Sequence, residues 1–257
     1  SNGSMDLTDL SNIVDKCSQE GKNIFSIVAT FGTTIRGAVD PIEDISNFCR
    51  DRKIWLHIDG SIGGIFGLTD IFIKGVNYIC KSNSVTINPQ KILGITKTSS
   101  LLIVSDRKVL KNAFSTGLPY IASNNNTIDR GELGIQGSRP AEIIKLWLGL
   151  RFLGMIGIEE ILGSSIQRKN YFERNLNKDK YDIYSGPLHI VTFLPRDINK
   201  LESDLWTLKM RKNLMNYYFM LSRPMYRNKF YLRAVLGNYN TNKKHLDELL
   251  KLLNLVK

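Results

Sequence analysis

The chain has 257 residues and a formal net charge of +11, with 42% apolar and 23% charged residues. This composition supplies enough apolar residues for a core and excludes a largely disordered protein. No run of about 18 apolar residues occurs, so we predict no membrane-spanning helix and no membrane partner. The three cysteines are widely spaced and odd in number, which favours a reducing compartment, and we expect a cytoplasmic protein. The lysines are scattered, so we expect no nucleic-acid partner.

The first hundred residues alternate between predicted helices and strands. Apolar spacing predicts a helix over residues 7–21 and a second helix that Pro41 opens. Short apolar runs predict four strands, at residues 24–30, 54–59, 84–88 and 101–104. This alternation indicates an α/β fold with a mainly parallel sheet. Ligands bind beyond the carboxyl ends of such strands, so the polar residues at those ends are the site candidates.

The second half of the chain has a different character. Residues 106–138 are polar and irregular, and we predict a long functional loop there. Two helices are predicted next, at 141–153 and 158–175. A smaller α+β region follows, with strands predicted at 181–184, 189–193, 217–221 and 230–235. A last helix is predicted over 242–253, with Thr241 as its N-cap. We therefore predict two domains, residues 1–176 and 177–257.

Three strand-end side chains fit one kind of chemistry when taken together. Asp59 ends one predicted strand, Lys91 follows another, and Thr34 follows a third. A pyridoxal phosphate (PLP) site needs a lysine amine to form a Schiff base with the cofactor aldehyde. It also needs a carboxylate that keeps the pyridine nitrogen protonated, so that the ring can act as an electron sink. Adjacent strand ends can place both groups in one crevice. The sequence predicts no metal ligands.

Several segments together resemble one known family. They are VATFGTT (28–34), GAVDP (37–41), WLHID (55–59), NPQK (88–91), GSRP (137–140) and KLW (145–147). The sequence resembles the PLP-dependent group II decarboxylases, which act on aromatic amino acids, glutamate and related substrates. The resemblance implies a fold-type I PLP-dependent transferase fold. It also implies that the large domain is incomplete here and that a small C-terminal α+β domain follows it.

The resemblance assigns expected roles to five of these residues. Lys91 matches the Schiff-base lysine, and Asp59 matches the carboxylate that pairs with the pyridine nitrogen. Thr34 matches a threonine close to the cofactor ring, and Asn88 a residue near the cofactor phosphate. His57 matches a strand histidine near the aspartate, although a histidine with satisfied hydrogen bonds in the core explains it equally well.

The implied reaction is the decarboxylation of an L-amino acid to an amine and CO2. Tyr120, in the long polar segment, matches a catalytic-loop tyrosine that returns a proton to the α carbon. An ordinary loop aromatic is the alternative for this residue. Members of the family are homodimers with the site at the interface, and residues 106–138 would then reach towards the partner subunit.

Two cofactor-site positions depart from the family pattern. Gln90 stands where the family usually has a histidine, and an amide cannot titrate. Ser61 replaces a small apolar residue that packs on the cofactor ring. The family's upstream histidine and phosphate-binding loop also have no counterpart before residue 25. We therefore expect this chain to correspond to the C-terminal half of such an enzyme.

Two other functions remain open from the sequence. The first is a catalytically degenerate relative that folds but turns over no substrate, which Gln90, Ser61 and the missing half favour. The second is a PLP-dependent lyase of the sphingosine-phosphate-lyase type, acting on a phosphorylated amino-alcohol. A motif like GSRP (137–140) occurs in that branch, whereas the KLW segment favours a decarboxylase.

Overall fold

The computed structural model of the chain describes residues 2–69, 79–96, 100–117, 130–138 and 140–255. The helices are α1 (Leu7–Gln19), α2 (Ile42–Asp51), α3 (Arg107–Phe114), α4 (Ile143–Asn175), α5 (Lys200–Met215) and α6 (Lys243–Leu255). The strands are β1 (Ser26–Thr30), β2 (Trp55–Gly60), β3 (Ser84–Ile87), β4 (Leu101–Val104), β5 (Tyr181–Ser185), β6 (Ile190–Pro195), β7 (Met225–Tyr226), β8 (Lys229–Phe230) and β9 (Leu232–Val235). Short 3-10 turns lie at Gly64–Leu68, Pro89–Lys91 and Arg130–Leu133.

The first sheet has the strand order β1-β2-β3-β4. The first three strands are parallel, and β4 pairs antiparallel with β3 at the edge. This arrangement confirms the α/β fold with a mainly parallel sheet. Its register places Thr30, Asp59 and Thr86 side by side across β1, β2 and β3. The candidate carboxylate therefore lies at the carboxyl end of the middle strand of this parallel set.

The two faces of this sheet have different surroundings. Leu56 and Ile58 of β2 point into a core that Ile45 of α2 and Leu162 of α4 share. The alternate residues of β2 are only half-buried, as the pleat of a strand requires. On that second face, Val28 of β1 is 51% exposed. Parallel sheets are normally covered on both faces, so the described residues leave the second face incompletely covered.

Helix α4 joins the two halves of the structure. The two helices predicted at 141–153 and 158–175 are continuous except at Gly154, whose φ of 61° and ψ of 179° interrupt the helix. Only glycine adopts this conformation readily, so Gly154 fixes the position of the bend. Beyond the bend Leu162 packs in the first core, whereas Phe172 packs in a second core.

The second core is built on the antiparallel sheet β5-β6-β9 with α5 and α6 against it. The sequence did not predict α5, although Asn199 and Glu202 form a capping box at its start. Its buried side includes Ser203 and Thr207, while Leu205 on its outer side is 61% exposed. The helical apolar pattern is therefore weak, which hides the helix from a periodicity criterion.

Two other sequence predictions in this half are wrong, and a third is confirmed except at one residue. The strand expected over 217–221 is absent, because residues 216–218 form the turn that ends α5. The strand expected over 230–235 is divided at Tyr231 between the β7–β8 hairpin and β9. At the start of α6 the side chain of Asn242, and not that of Thr241, accepts a hydrogen bond from His245 N at 3.2 Å. The division of the chain at residue 176 stays a prediction.

The segment 106–138 is more ordered than its composition suggests. Helix α3 occupies its beginning, where the side chain of Asp106 caps the helix by accepting from Lys108 N at 2.9 Å. Residues 118–129 lie outside the described residues, and the expected interface role of the segment stays a prediction. Among the described residues, no helix combines the length and the apolar character needed to span a membrane.

Candidate active site

The loops that follow β1 and β2 interlock at the carboxyl end of the sheet. Phe31 N donates to the carbonyl of Asp59 at 2.8 Å, and Gly63 N donates to the carbonyl of Phe31 at 2.8 Å. A Cβ atom at Gly63 would lie 2.3 Å from that carbonyl oxygen, so a side chain is excluded there. The glycine-rich stretch after Asp59 therefore allows the close backbone approach that fixes the position of the carboxylate.

Lys91, Ser61 and Asp59 form a connected group at this end of the sheet. Lys91 lies in the 3-10 turn Pro89–Lys91 that directly follows β3, and its Nζ donates to Ser61 Oγ at 3.0 Å. The backbone N–H of Ser61 donates to Asp59 Oδ1 at 3.0 Å. The structure shows no hydrogen bond from the described residues to the other carboxylate oxygen of Asp59. The amine and the carboxylate that the sequence predicted are thus brought to one place.

His57 lies on the same face of β2 as Asp59, one pleat earlier. Its Nδ1 is 2.8 Å from Ser84 Oγ and its Nε2 is 3.3 Å from Thr86 Oγ1, both on β3. The Nε1–H of Trp55 also donates to Ser84 Oγ, at 2.9 Å. Both ring nitrogens of His57 are therefore engaged by the neighbouring strand, which favours a role in aligning β2 with β3.

Asn88 precedes the turn that carries Lys91, and Gln90 lies within it. The Oδ1 atom of Asn88 accepts a hydrogen bond from Ser100 Oγ at 2.5 Å. The Oε1 atom of Gln90 is buried and has no hydrogen-bond partner among the described residues. A buried acceptor without a partner is uncommon in folded proteins and often indicates a water or a ligand. Such an acceptor, together with the open oxygen of Asp59 and the amine of Lys91, belongs to the kinds of groups with which a protein can hold PLP.

Thr34 lies on the loop of residues 32–38, called here the Thr34 loop, which connects β1 towards α2. Its side chain is exposed, and its carbonyl accepts from Arg233 Nη1 at 2.5 Å. Partial burial lowers the pKa of the Arg233 guanidinium. The sequence did not assign Arg233 to the site, because the two residues are 199 positions apart and no local pattern links them. Tyr120 lies outside the described residues.

A buried histidine lies between the first core and the small C-terminal region. His189 is 3% exposed, its ring stacks on Phe66 at a centroid distance of 5.8 Å, and its backbone carbonyl accepts from Leu236 N. Burial, together with the positive charge of Arg168, lowers the pKa of His189 to about 4. A neutral imidazole therefore joins the first core to the small C-terminal region.

Comparison with known proteins identifies relatives of this chain. Residues 1–189 match the family model described as the pyridoxal-dependent decarboxylase conserved domain. The acidic amino acid decarboxylase of Xenopus tropicalis is 30% identical over 210 residues, which are 78% of this chain and 41% of that protein. The described fold is thus accompanied by sequence similarity that extends over most of the chain.

Solved structures agree in fold over nearly all of the chain. Mouse CSAD in its apo form matches with a TM-score of 0.86 and 22% identity, over 99% of this chain and 56% of that chain. Oryza sativa TDC with PLP and tryptamine matches with a TM-score of 0.89 and 19% identity, over 98% of this chain and 54% of that chain. This chain spans about half the length of the proteins that it matches. The chain belongs to the pyridoxal-dependent decarboxylase family.

Proposed function

We propose that this chain forms part of a PLP-dependent decarboxylase that converts an L-amino acid to an amine and CO2. The observation that carries the proposal is the hydrogen-bonded group of Lys91, Ser61 and Asp59 at the ends of adjacent strands. An amine and a carboxylate held together in this way are the two protein groups that a PLP site requires. Family membership supports the choice of cofactor.

Each side chain of the group has a defined task in this proposal. Asp59 would hold a protonated ring nitrogen through its open carboxylate oxygen, and Lys91 would supply the amine that attaches the cofactor. Gln90 would give its buried oxygen to a hydrogen bond, and Asn88 and Thr34 would border the cofactor. When bound, PLP supplies an acceptor for the electron pair that departing CO2 leaves behind. Tyr120 would then return a proton to the α carbon.

We further propose that additional polypeptide completes the site. The first half of α4 carries seven large apolar side chains that are more than half exposed: Ile143, Ile144, Trp147, Leu148, Phe152, Met155 and Ile156. An apolar surface of this extent on a helix usually indicates an interface. The second face of the first sheet is also incompletely covered by the part of the chain that the structure describes, and the relatives are about twice as long as this chain. A complementing N-terminal half and a homodimeric assembly would cover these surfaces.

Trapping of the cofactor tests the proposal directly. The chain is mixed with PLP, alone and together with a polypeptide that supplies the upstream half, and is then reduced with borohydride. We expect a visible absorbance band before reduction and a cofactor mass on the peptide that contains Lys91. Lys91→Arg keeps the positive charge but cannot be attached, so it is the matched control. Release of CO2 from L-amino acids by the completed enzyme is the second measurement.

The outcomes separate the proposed enzyme from its main alternative. Attachment at Lys91 together with CO2 release supports the decarboxylase. Attachment without CO2 release from any L-amino acid supports a degenerate relative that keeps the cofactor site. No attachment even when the upstream half is supplied would rule out a working PLP site in this chain.

A further inference from the structure

Three side chains of the small C-terminal sheet form a row that faces the Thr34 loop. Tyr184 of β5 pairs with Thr192 of β6, and Thr192 pairs with Arg233 of β9, so the three residues lie side by side across the sheet. Side chains at paired positions of neighbouring strands point to the same face. This set, called here the anchoring row, therefore presents one side chain from each strand in a line.

Two members of the row hold backbone carbonyls of the loop. Arg233 Nη1 donates to the carbonyl of Thr34 at 2.5 Å. The hydroxyl of Thr192 donates to the carbonyl of Ile35, the next residue along the loop. Thr192 is fully buried, so its hydroxyl satisfies a carbonyl in a place with little access to water.

The third member of the row contacts the next residue of the loop. The guanidinium carbon of Arg36 lies 5.1 Å from the centre of the Tyr184 ring, within cation–π distance. Tyr226 of the β7–β8 hairpin meets the same guanidinium, and its hydrogen bond with Arg36 lowers the pKa of the Tyr226 hydroxyl. Loop residues 34, 35 and 36 thus meet β9, β6 and β5 in order.

The fourth consecutive residue of the loop is held by close packing. Gly37 has a φ of 64°, and an added Cβ there would lie 3.2 Å from the Cβ of Leu188. Gly186, which directly follows β5, faces the loop here, because a Cβ added at Gly186 would lie 2.3 Å from the carbonyl oxygen of Gly37. The backbone of the loop and that of the small sheet are therefore in direct contact, with no room for a side chain between them.

The hydrogen bonds within the loop close its base and leave its tip to the anchoring row. Gly32 N and Thr33 N donate to the carbonyl of Ala38, and Gly37 N donates to the carbonyl of Thr33. Ala38 N donates to Thr33 Oγ1 at 3.0 Å. At the tip, the carbonyls of Thr34 and Ile35 are instead bound by Arg233 and Thr192.

We propose that the anchoring row is a positioning device that holds the Thr34 loop in the conformation that binds the cofactor, so that the small C-terminal region sets the geometry of a site it does not itself contain. The cofactor part of this inference rests on the proposed function. Tyr184, Thr192 and Arg233 act as positioning residues through the loop backbone. Contacts held in place before binding lower the cost of binding, whereas a loop that samples several conformations must be ordered by the ligand.

Thr192 gives the sharpest test, because its hydroxyl can be removed without changing the shape of the side chain. Thr192→Val deletes the donor to Ile35 and leaves the volume almost unchanged. Thr192→Ser keeps the hydroxyl donor and removes only the methyl group. The matched control is Thr207→Val, which removes another fully buried hydroxyl of the same region. The Thr207 hydroxyl donates to the Ser203 carbonyl and accepts from Arg223, so it does not contact the loop.

Hydrogen exchange of the loop amides is measured on the whole chain without cofactor. We expect Thr192→Val to speed exchange at Gly37 and Ala38 by about fivefold, the ratio that corresponds to one lost hydrogen bond of ordinary strength. Thr192→Ser should exchange like the wild type, and so should Thr207→Val in this loop. The dissociation constant for PLP, from absorbance titration, should rise in Thr192→Val and recover in Thr192→Ser.

Each result bears on the inference. Faster exchange confined to the Thr34 loop in Thr192→Val supports the anchoring row. Unchanged loop exchange in Thr192→Val, or equal acceleration in Thr207→Val, overturns it. Faster exchange with an unchanged dissociation constant overturns the link between the row and cofactor binding. If the wild-type chain binds no PLP even when the upstream half is supplied, the proposed function is wrong. The hydrogen-exchange data would still show whether the anchoring row holds the Thr34 loop.

Discussion

The Nζ atom of Lys91 lies 3.0 Å from the hydroxyl oxygen of Ser61, a residue thirty positions earlier in the chain. Ser61 also donates its backbone N–H to Asp59, so one residue connects the amine and the carboxylate of the site. The sequence singled out Ser61 as a departure from the family pattern. The structure gives this departure a physical role, since the hydroxyl engages the amine that is to bind the cofactor.

The contact between Ser61 and Lys91 stabilises the cofactor-free site. Lys91 must give up this hydrogen bond when it attaches the cofactor, so we expect Ser61→Ala to bind PLP more tightly. The expected gain is about two- to fivefold, because a single exposed hydrogen bond to a charged group contributes about 1 kcal/mol or less. Absorbance titration with PLP measures the change. Ser61→Thr keeps the hydroxyl and is the control. Weaker binding by Ser61→Ala would mean that the hydroxyl contacts the cofactor instead.

The close contact between the loops after β1 and β2 predicts a strong effect at Gly63. A Cβ at this position would lie 2.3 Å from the carbonyl oxygen of Phe31. We expect Gly63→Ala to lower the free energy of unfolding by about 2 kcal/mol or more, since the backbone must move apart. Urea denaturation is the measurement. Gly137→Ala, where a Cβ would meet nothing within 4 Å, should change stability by less than about 0.5 kcal/mol.

The buried His189 predicts a dependence of stability on pH. Its pKa is about 4 in the folded chain, below the ordinary value of 6.5. Between these values the unfolded chain binds a proton that the folded chain does not, so the free energy of unfolding falls as pH falls from 6.5 towards 4. The full effect of this group is about 3 kcal/mol. Comparison of urea denaturation across this range for wild type and His189→Gln should show a shallower slope in the variant, and equal slopes would contradict the assignment.

Two isoleucines on α4 provide a matched pair for the proposed interface. Ile156 is 83% exposed and Ile158 is 2% exposed. We expect Ile158→Ser to lower the free energy of unfolding by about 3 kcal/mol or more, because a polar hydroxyl replaces a core side chain. Ile156→Ser should leave the stability of the isolated chain within about 0.5 kcal/mol of the wild type.

The same pair distinguishes an interface from a simple exposed helix. Ile156→Ser should weaken assembly with the upstream half or with a second copy, as measured by analytical ultracentrifugation. Wild-type assembly in Ile156→Ser would show that this part of α4 faces solvent in the complete protein. A large loss of stability in Ile156→Ser alone would show that the side chain is buried in the isolated chain.

Much of the first sheet and the main site residues could be predicted from the sequence. Each parallel strand is a short apolar run, and the polar residue that follows it must lie at the carboxyl edge. Asp59 and Lys91 were predicted in this way. Helix α5 was not, because its buried side uses Ser203 and Thr207 and its exposed side carries leucines. Periodicity is judged from the polarity of each residue, with apolar residues expected on the buried side of a helix. It therefore misses a helix whose buried side carries hydroxyl groups that form hydrogen bonds in the folded protein.

The sequence by itself determined the α/β class, the strand-end position of the carboxylate and the lysine, and the family resemblance, because each depends on local pattern. Only the tertiary structure decided that Ser61 connects Lys91 with Asp59, that His57 bonds to β3, and that Arg233 and Thr192 hold the Thr34 loop. These contacts join residues up to 199 positions apart. The contacts of Ser61 and His57 exist because neighbouring strands of the first sheet bring them together, and those of Arg233 and Thr192 exist because the small sheet packs against the Thr34 loop. No local pattern encodes which side chains meet in either place.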